Sequence, residues 1–337
     1  MKNFYITFLA LISILLINCN NHSEKKTSKK NIERLNVSSS FKNKQNRKVI
    51  VQIGIKSDKM SNAWKEAITN RKGTSVLDSL SKVLKPISIE EQAWIHLIES
   101  KAKKWNLYRD SLKVPFQNIR LKDTVFVLLG YQGGDDAFTY KDQTICLDVN
   151  TLNKSYGSAH KFVNDNRIDR IFSHEFTHLL HKQWAKKNNL ELTTFKDEVL
   201  WECVTEGFGM YRSMSPKWFP SGDSLSLTSK TTFNRLYPIF AKNIIKVSTN
   251  PNLSENEQAD LHANLSRGSM KKKWGALPVA VWLAFEANGN DENLIEWVNM
   301  GPDAIVLLAE KYLNGKSKEL FDTFLKNKKN GNKVLVD

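Results

Sequence analysis

The run Ser173-His174-Glu175-Phe176-Thr177-His178 constrains this chain more than any other stretch, because it contains the pattern H-E-x-x-H. Apolar residues recur around it at helical spacing, which predicts a helix with one buried face. Residues four apart lie on the same side of a helix, so His174 and His178 can direct two imidazole nitrogens at one metal ion. This donor pair suits tetrahedral Zn²⁺, and Glu175 is placed to act as a general base toward water at the metal. The chain has only 7 histidines, so a chance match is uncommon.

A second helix carries the candidates for a third metal ligand. Thr194-Phe195-Lys196-Asp197 is a helix-opening signature, and the helix is expected to continue to about Tyr211. Within it, Glu202 and Glu206 lie one turn apart on one face. Either carboxylate can therefore be the ligand, and the other can lie behind it as a hydrogen-bond partner of the ligand residues.

These two helices together resemble the gluzincin branch of zinc metallopeptidases. The run Glu206-Gly207-Phe208-Gly209 is similar to the Glu-Gly-Phe-Ala run of aminopeptidase-like gluzincins. The gap between His178 and this run is longer than in those enzymes, and it is closer to that of predicted bacterial zinc-dependent proteases. The resemblance covers about residues 125–212. The metzincin branch is excluded, because its pattern requires Gly and His where this chain has His181 and Trp184.

The gluzincin resemblance implies a peptidase that hydrolyses peptide bonds of a peptide or protein substrate with Zn²⁺ as cofactor. It also favours Glu206 over Glu202 as the third ligand. The site residues that it assigns are the catalytic base Glu175 and the zinc ligands His174, His178 and Glu206. Such an enzyme needs a donor that stabilises the oxyanion of the tetrahedral intermediate, and the candidates are Tyr211, Tyr237 and His262.

Two other functions are compatible with the same residues. One is a metal hydrolase that acts on a non-peptide bond, and the other is a lipid-anchored binding protein with a structural zinc site. The presence of Glu175 weighs against a structural site, which needs no base and usually has four protein ligands.

The N-terminus predicts export. A charged start precedes an apolar run that ends at Ile17 and is too short for a comfortable transmembrane span. Leu16-Ile17-Asn18-Cys19 resembles the lipobox of bacterial lipoproteins, although Asn18 stands where a small residue is usual. The resemblance implies a signal peptide over 1–18, lipidation of Cys19, and a place in the bacterial cell envelope, anchored to a membrane.

Residues 19–48 have the composition of a disordered, basic tether. Between positions 20 and 48 there are nine basic and two acidic side chains, so about half of the formal net charge of +15 lies outside the expected domain. This charge suits an anionic membrane surface. No basic face with interleaved aromatic residues is present, which argues against nucleic acid as a partner.

Residues 49–337 are expected to form one α+β domain of zincin-like architecture, with a short β-sheet next to a mainly helical metal-binding region. Strands are predicted over 49–55, 123–129 and 143–149, the last of them half-exposed, and the segment from Gly130 to Thr139 is predicted to be a loop. An exposed edge strand before the motif helix could align an extended peptide across the metal. Cys146 and Cys203 are expected to be buried thiols.

Overall fold

The computed structural model describes residues 47–56, 59–75, 86–117, 119–131, 134–214, 218 and 225–330. The predicted signal peptide, the lipidation site at Cys19 and nearly all of the tether lie outside these residues. Among the helices that are described, none is long and apolar enough to cross a membrane.

The strands are short and the helices dominate. The strands are β1 (Lys48–Ile53), β2 (Ile55–Lys56), β3 (Lys59–Met60), β4 (Thr124–Gly130), β5 (Ala137–Tyr140) and β6 (Thr144–Asp148). The helices are α1 (Asn62–Lys72), α2 (Ile89–Leu112), α3 (Val149–Tyr156), α4 (Phe162–Lys187), α5 (Phe195–Ser213), α6 (Leu227–Thr249), α7 (Glu255–Ala263), α8 (Ala276–Ala287), α9 (Ile295–Met300), α10 (Ala304–Tyr312) and α11 (Gly315–Lys329). A mainly helical chain with one small mixed sheet confirms the α+β class.

The sheet has the strand order β1-β4-β6-β5, and a separate two-stranded ribbon pairs β2 with β3. The strands β1, β4 and β6 run parallel, whereas β5 runs antiparallel to β6 and forms one edge of the sheet. The prediction of a loop from Gly130 to Thr139 is therefore wrong for its last three residues, because the strand Ala137–Tyr140 pairs with β6. The likeness of these residues to a loop comes from the Gly- and Asp-rich turn that precedes them.

Helices pack on both faces of β6, toward which its side chains point alternately. Ile145 and Leu147 of β6 belong to the main helical core. Cys146 on the opposite face packs in a smaller cluster with Phe138 of β5 and Trp64 of α1. The prediction that this strand is half-exposed is wrong, because α1 covers the face that an isolated pair of strands would leave in solvent.

The helix α4, which carries the H-E-x-x-H motif, is held to α2 by a buried polar network. Lys101 donates to Asp165 (2.6 Å) and Asp169 (3.3 Å), and the indole of Trp105 donates to the other oxygen of Asp169 (2.8 Å). Asp169 is 4% exposed, so its charge is stabilised by these donors rather than by water. The network lies just over one helical turn before His174 and fixes the position of the motif helix.

Three helices begin with a capping box, at Ser88, Thr194 and Ser254, and the one at Thr194 confirms the predicted start of α5. In each of them the side-chain oxygen of the capping residue accepts from the backbone amide three residues later. The acidic side chain of that later residue accepts from the backbone amide of the capping residue. Cys146 and Cys203 are free and buried, which confirms the expectation of two buried thiols.

Candidate metal centre and its cleft

Two imidazole nitrogens and one carboxylate converge between α4 and α5. The Nε2 atoms of His174 and His178 are 3.0 Å apart, and each lies 3.6 Å from a carboxylate oxygen of Glu206. The three side chains are between 16% and 26% exposed, so they are accessible from one side. The structure thus brings together the two histidines and the Glu206 that the resemblance assigns as metal ligands.

The spacing of these donor atoms, which are the two Nε2 nitrogens and the two carboxylate oxygens of Glu206, fits a tetrahedral metal. Zinc bonds of about 2.0–2.1 Å to nitrogen and oxygen place neighbouring ligand atoms about 3.3–3.4 Å apart at tetrahedral angles. The observed separations of 3.0, 3.6 and 3.6 Å bracket that value. Two imidazoles with one carboxylate is also a donor set of catalytic zinc sites, which leaves a position open for substrate or water.

The surroundings of His178 and Glu206 favour the protonation states that a metal requires, whereas those of His174 favour its charged form. Burial lowers the pKa of His178 to about 4, so its imidazole is neutral and offers a lone pair. Burial alone would raise the pKa of Glu206, but His178 and His174 lower it to about 2, so this carboxyl is ionised. Burial likewise opposes the charge on His174, yet the carboxylates of Glu206 and Glu175 raise its pKa above the usual value.

Glu175 lies beside this cluster on the same helix as the histidines. Glu175 is 7% exposed. One of its carboxylate oxygens lies within 4.8 Å of a ring nitrogen of His174 and of a ring nitrogen of His178. Burial raises its pKa to about 7; His174 opposes this effect, and Glu206 adds to it. The carboxyl group is therefore close enough to the cluster to exchange a proton with a molecule bound there.

Ser213 and Gly209, for which the sequence predicts no role, both contact the His174 ring, and Ser213 does so by a hydrogen bond. Ser213 Oγ lies 3.3 Å from His174 Nδ1 and also 3.3 Å from the carbonyl oxygen of Met210. Since a carbonyl can only accept, the hydroxyl proton goes to Met210, and Ser213 accepts from Nδ1–H of His174. That tautomer leaves the lone pair on Nε2, which faces Glu206.

Gly209 provides the surface against which the His174 ring lies. A Cβ atom at position 209 would be 2.9 Å from Cε1 of the imidazole, closer than real Cβ contacts, and 3.0 and 3.1 Å from its two nitrogens, which is tight. The second glycine of the Glu-Gly-Phe-Gly run therefore leaves room for the ring of a proposed ligand, which a larger residue would displace. The first, Gly207, serves packing instead, because a Cβ there would lie 2.4 Å from Val279 of α8.

Glu202 has other partners and does not join the cluster. Its Oε2 accepts from Nδ1 of His262 (3.0 Å), and its Oε1 accepts from the hydroxyl of Ser266 (2.6 Å). The geometry thus favours Glu206 over Glu202 as the third ligand, and it gives Glu202 the role of tying α5 to α7 and the segment that follows.

None of the three candidates for an oxyanion donor lines the cleft. The hydroxyl of Tyr211 donates to Asp291 (2.9 Å), and that of Tyr237 accepts from Trp282 in the core (3.3 Å). The Nδ1 atom of His262 is hydrogen-bonded to the carboxylate of Glu202. The structure does not place any of the three at the metal centre.

His181, one turn after His178, has a packing role. Its ring makes edge contacts with Phe116, Trp201 and Phe208, and its Nδ1 lies 3.0 Å from the carbonyl oxygen of Thr177. Burial lowers its pKa to about 3, so it is neutral. Its Nε2 has no hydrogen-bond partner among the described residues.

The cluster opens into a cleft of about 980 Å³. It is lined by the edge strand β5, by α4 and α5, and by residues 266–268 and 273. A cleft of this size accommodates several residues of an extended chain or a small organic molecule.

The backbone of β5 is available along this cleft. The bond from Asp148 N–H to the carbonyl of Asp136 (3.1 Å) sets the alternation of the antiparallel pair, so residues 136, 138 and 140 direct their backbone groups at β6. Ala137 and Thr139 therefore direct theirs away from the sheet. The amide of Ala137 donates to the side chain of Asp136 (3.0 Å).

Comparison with protein-family models, curated proteins and solved structures gives no match for this chain. The residues that line the cleft are therefore what indicates its chemistry.

Proposed function

We propose that this chain is a zinc-dependent peptidase of gluzincin type on a zincin-like fold. The observation that carries the proposal is the convergence of His174, His178 and Glu206 at the spacing of tetrahedral zinc ligands, with the buried carboxyl of Glu175 beside them. A structural zinc site would need a fourth protein ligand and no base.

The residues divide the work as follows. His174, His178 and Glu206 would hold the zinc, and the chemistry that zinc supplies when bound is polarisation of a carbonyl oxygen and a lowered pKa for water. Glu175 accepts a proton from the attacking water on its carboxylate oxygen. It then returns that proton to the nitrogen of the leaving amine.

A peptide is the substrate that the cleft walls fit. An extended peptide can add to the open edge of β5, where the backbone of Thr139 and the carbonyl of Ala137 point away from the sheet. Main-chain hydrogen bonds of this kind hold a peptide with little dependence on its side chains, and they align it along α4, where the motif lies.

Export and anchoring complete the proposal. Cys19, preceded by the lipobox-like Leu16-Ile17-Asn18, would carry the acyl group that attaches the enzyme to a membrane of the bacterial cell envelope. Residues 19–48 would then act as a basic tether beside anionic lipids.

The test compares the wild-type protein with Glu175→Gln at equal zinc content. Removal of the proton acceptor should lower the hydrolysis of casein and of a peptide library by about 10²–10⁴-fold, with zinc and fold retained. Equal hydrolysis by the two proteins would refute the mechanism. Absence of peptide hydrolysis in a zinc-loaded wild-type protein would instead favour a non-peptide substrate or a binding role.

A further inference from the structure

Residues 266–273 form a loop, here called the cationic loop, that borders the metal cleft. Both of its ends are fixed by backbone bonds, since the amides of Trp274 and Gly275 each donate at 3.0 Å to the carbonyls of Asn264 and Leu265, respectively. Its first residue, Ser266, is bonded to Glu202 of α5 (2.6 Å). The loop therefore has a defined position relative to the zinc ligand Glu206, one turn along the same helix.

The cationic loop contains four basic residues and no acidic one. They divide into two pairs by position. Arg267 and Lys273 line the metal cleft. Lys271 and Lys272 line a separate groove on the surface, together with residues of α6 and α7.

Arg267 and Lys273 differ from the other lysines and arginines of the cleft in having no partner among the described residues. The remaining three are bonded to described residues: Arg71 to Asp135 (3.2 Å), Lys186 to Asp142 (2.5 Å) and Lys182 to the hydroxyl of Thr139 (2.7 Å). Within the described part of the chain, the side chains of Arg267 and Lys273 form neither an ion pair nor a hydrogen bond.

Lys273 is the more informative of the pair because it is half-buried. Burial of an unpaired ammonium is unfavourable, since the group loses hydration without gaining a counter-ion. The charges of Glu206 and Asp136 act on it, but neither carboxylate forms an ion pair with it. If Glu206 binds the metal, its carboxylate does not neutralise Lys273. An anionic group of a molecule bound in the cleft can then pair with this ammonium.

We propose that Arg267 and Lys273 form an anion subsite that binds a carboxylate of the substrate near the bond to be cleaved. This proposal rests on the proposed function and narrows its substrates to peptides that carry an acidic group, which Arg267 and Lys273 of the cleft would bind. The carboxylate can belong to an Asp or Glu side chain or to the C-terminus of the peptide. Arg267 and Lys273 are then specificity-determining residues.

The experiment measures the binding of labelled peptides by fluorescence anisotropy, in the zinc-loaded full chain with Glu175→Gln to prevent turnover. One peptide series, amidated at its C-terminus, replaces a single Gln by Glu at successive positions. A second pair compares the free C-terminal acid with the amide, which separates the two sources of the carboxylate.

The same measurements are made with two double variants of equal charge change in this background. Arg267→Gln with Lys273→Gln removes the cleft pair, and Lys271→Gln with Lys272→Gln is the matched control on the outer side of the same loop. Zinc content and circular dichroism are recorded for each variant.

At least one carboxylate, either a Glu of the series or the free C-terminus, should strengthen peptide binding by about ten- to a hundredfold over its uncharged counterpart. This is the size of one charge-assisted hydrogen bond. This preference should be lost in the cleft variant and kept in the control. Absence of any preference, or an equal loss in both variants, would overturn the subsite and indicate only general attraction to a basic surface.

Failure of the subsite and failure of the peptidase remain distinguishable. The same peptides are offered to the protein that retains Glu175. Cleavage without a carboxylate preference would refute the subsite and leave the peptidase. A preference that depends on Arg267 and Lys273, without cleavage of any peptide, would refute the peptidase and leave the subsite.

Discussion

Substitution of Gly209 by alanine should weaken zinc binding without unfolding the protein. The added Cβ would lie 2.9, 3.0 and 3.1 Å from Cε1, Nδ1 and Nε2 of His174, so the ring must move by several tenths of an ångström. Zinc–nitrogen distances tolerate only about 0.2 Å, and Ser213 holds the ring at Nδ1 (3.3 Å). Loss of an orienting contact of this kind typically lowers metal affinity by about 10–100-fold, or about 1.4–2.8 kcal/mol.

The assay is competition for zinc against a chelator of known affinity, with the thermal unfolding of the zinc-free protein measured in parallel. Gly207→Ala is the matched control, because the same change two residues earlier on α5 meets Val279 at 2.4 Å and not the imidazole. The control should lose stability and keep its zinc affinity. Wild-type zinc affinity in Gly209→Ala, or equal losses of affinity in both variants, would refute the orienting role of Gly209.

Three further changes test separate parts of the structure. Glu202→Gln should leave zinc content unchanged, because its carboxylate is bonded to other side chains; loss of zinc on elemental analysis would make it the ligand. Lys101→Met should lower the free energy of unfolding in urea by about 2 kcal/mol, since a buried carboxylate loses one of several donors, and an unchanged value would mean that the α2–α4 network does not contribute. Cys19→Ser should abolish acylation and either release the protein from the membrane fraction or leave it on an uncleaved signal. An unmodified wild-type terminus that does not start at Cys19, seen by mass spectrometry, would contradict the anchor.

Much of the helical part could be predicted because its signals are local. The capping residues Ser88, Thr194 and Ser254 each mark a helix start one residue later in the structure. The two histidines of the motif converge because helical periodicity alone places residues four apart on one face.

The edge strand β5 could not be predicted with the same ease. Its four residues, Ala137–Tyr140, are too few to show a clear alternation, and they follow a Gly- and Asp-rich turn. Their extended conformation depends on pairing with β6 and on the packing of Phe138 against Trp64, contacts that join positions distant in sequence.

The orienting residues of the site show the same limit. Glu206 could be assigned by resemblance, but nothing local in the sequence shows that Gly209 contacts His174 or that Ser213 accepts from it. The signal was the second glycine of the Glu-Gly-Phe-Gly run, since a helix interior disfavours glycine by about 1 kcal/mol relative to alanine. A glycine inside a helix can indicate that a neighbour approaches closely, and at position 209 the neighbour is a proposed metal ligand.

The type of a side chain was not enough to predict which residue stabilises the oxyanion. Tyr211, Tyr237 and His262 have suitable chemistry, yet each is bonded elsewhere in the fold. Which polar residue faces a cleft depends on the packing of several helices, and this cannot be derived from the spacing of residues along any one of them.

The zinc content of the purified protein tests the central claim most directly. The claim is that His174, His178 and Glu206 hold one zinc ion, so elemental analysis of the wild-type protein after dialysis should find about one zinc per chain. Each of His174→Ala, His178→Ala and Glu206→Gln should retain less than about a tenth of that amount, because three protein ligands leave none to spare. Full zinc in Glu206→Gln, or no zinc in the wild-type protein after incubation with excess metal, would contradict the account.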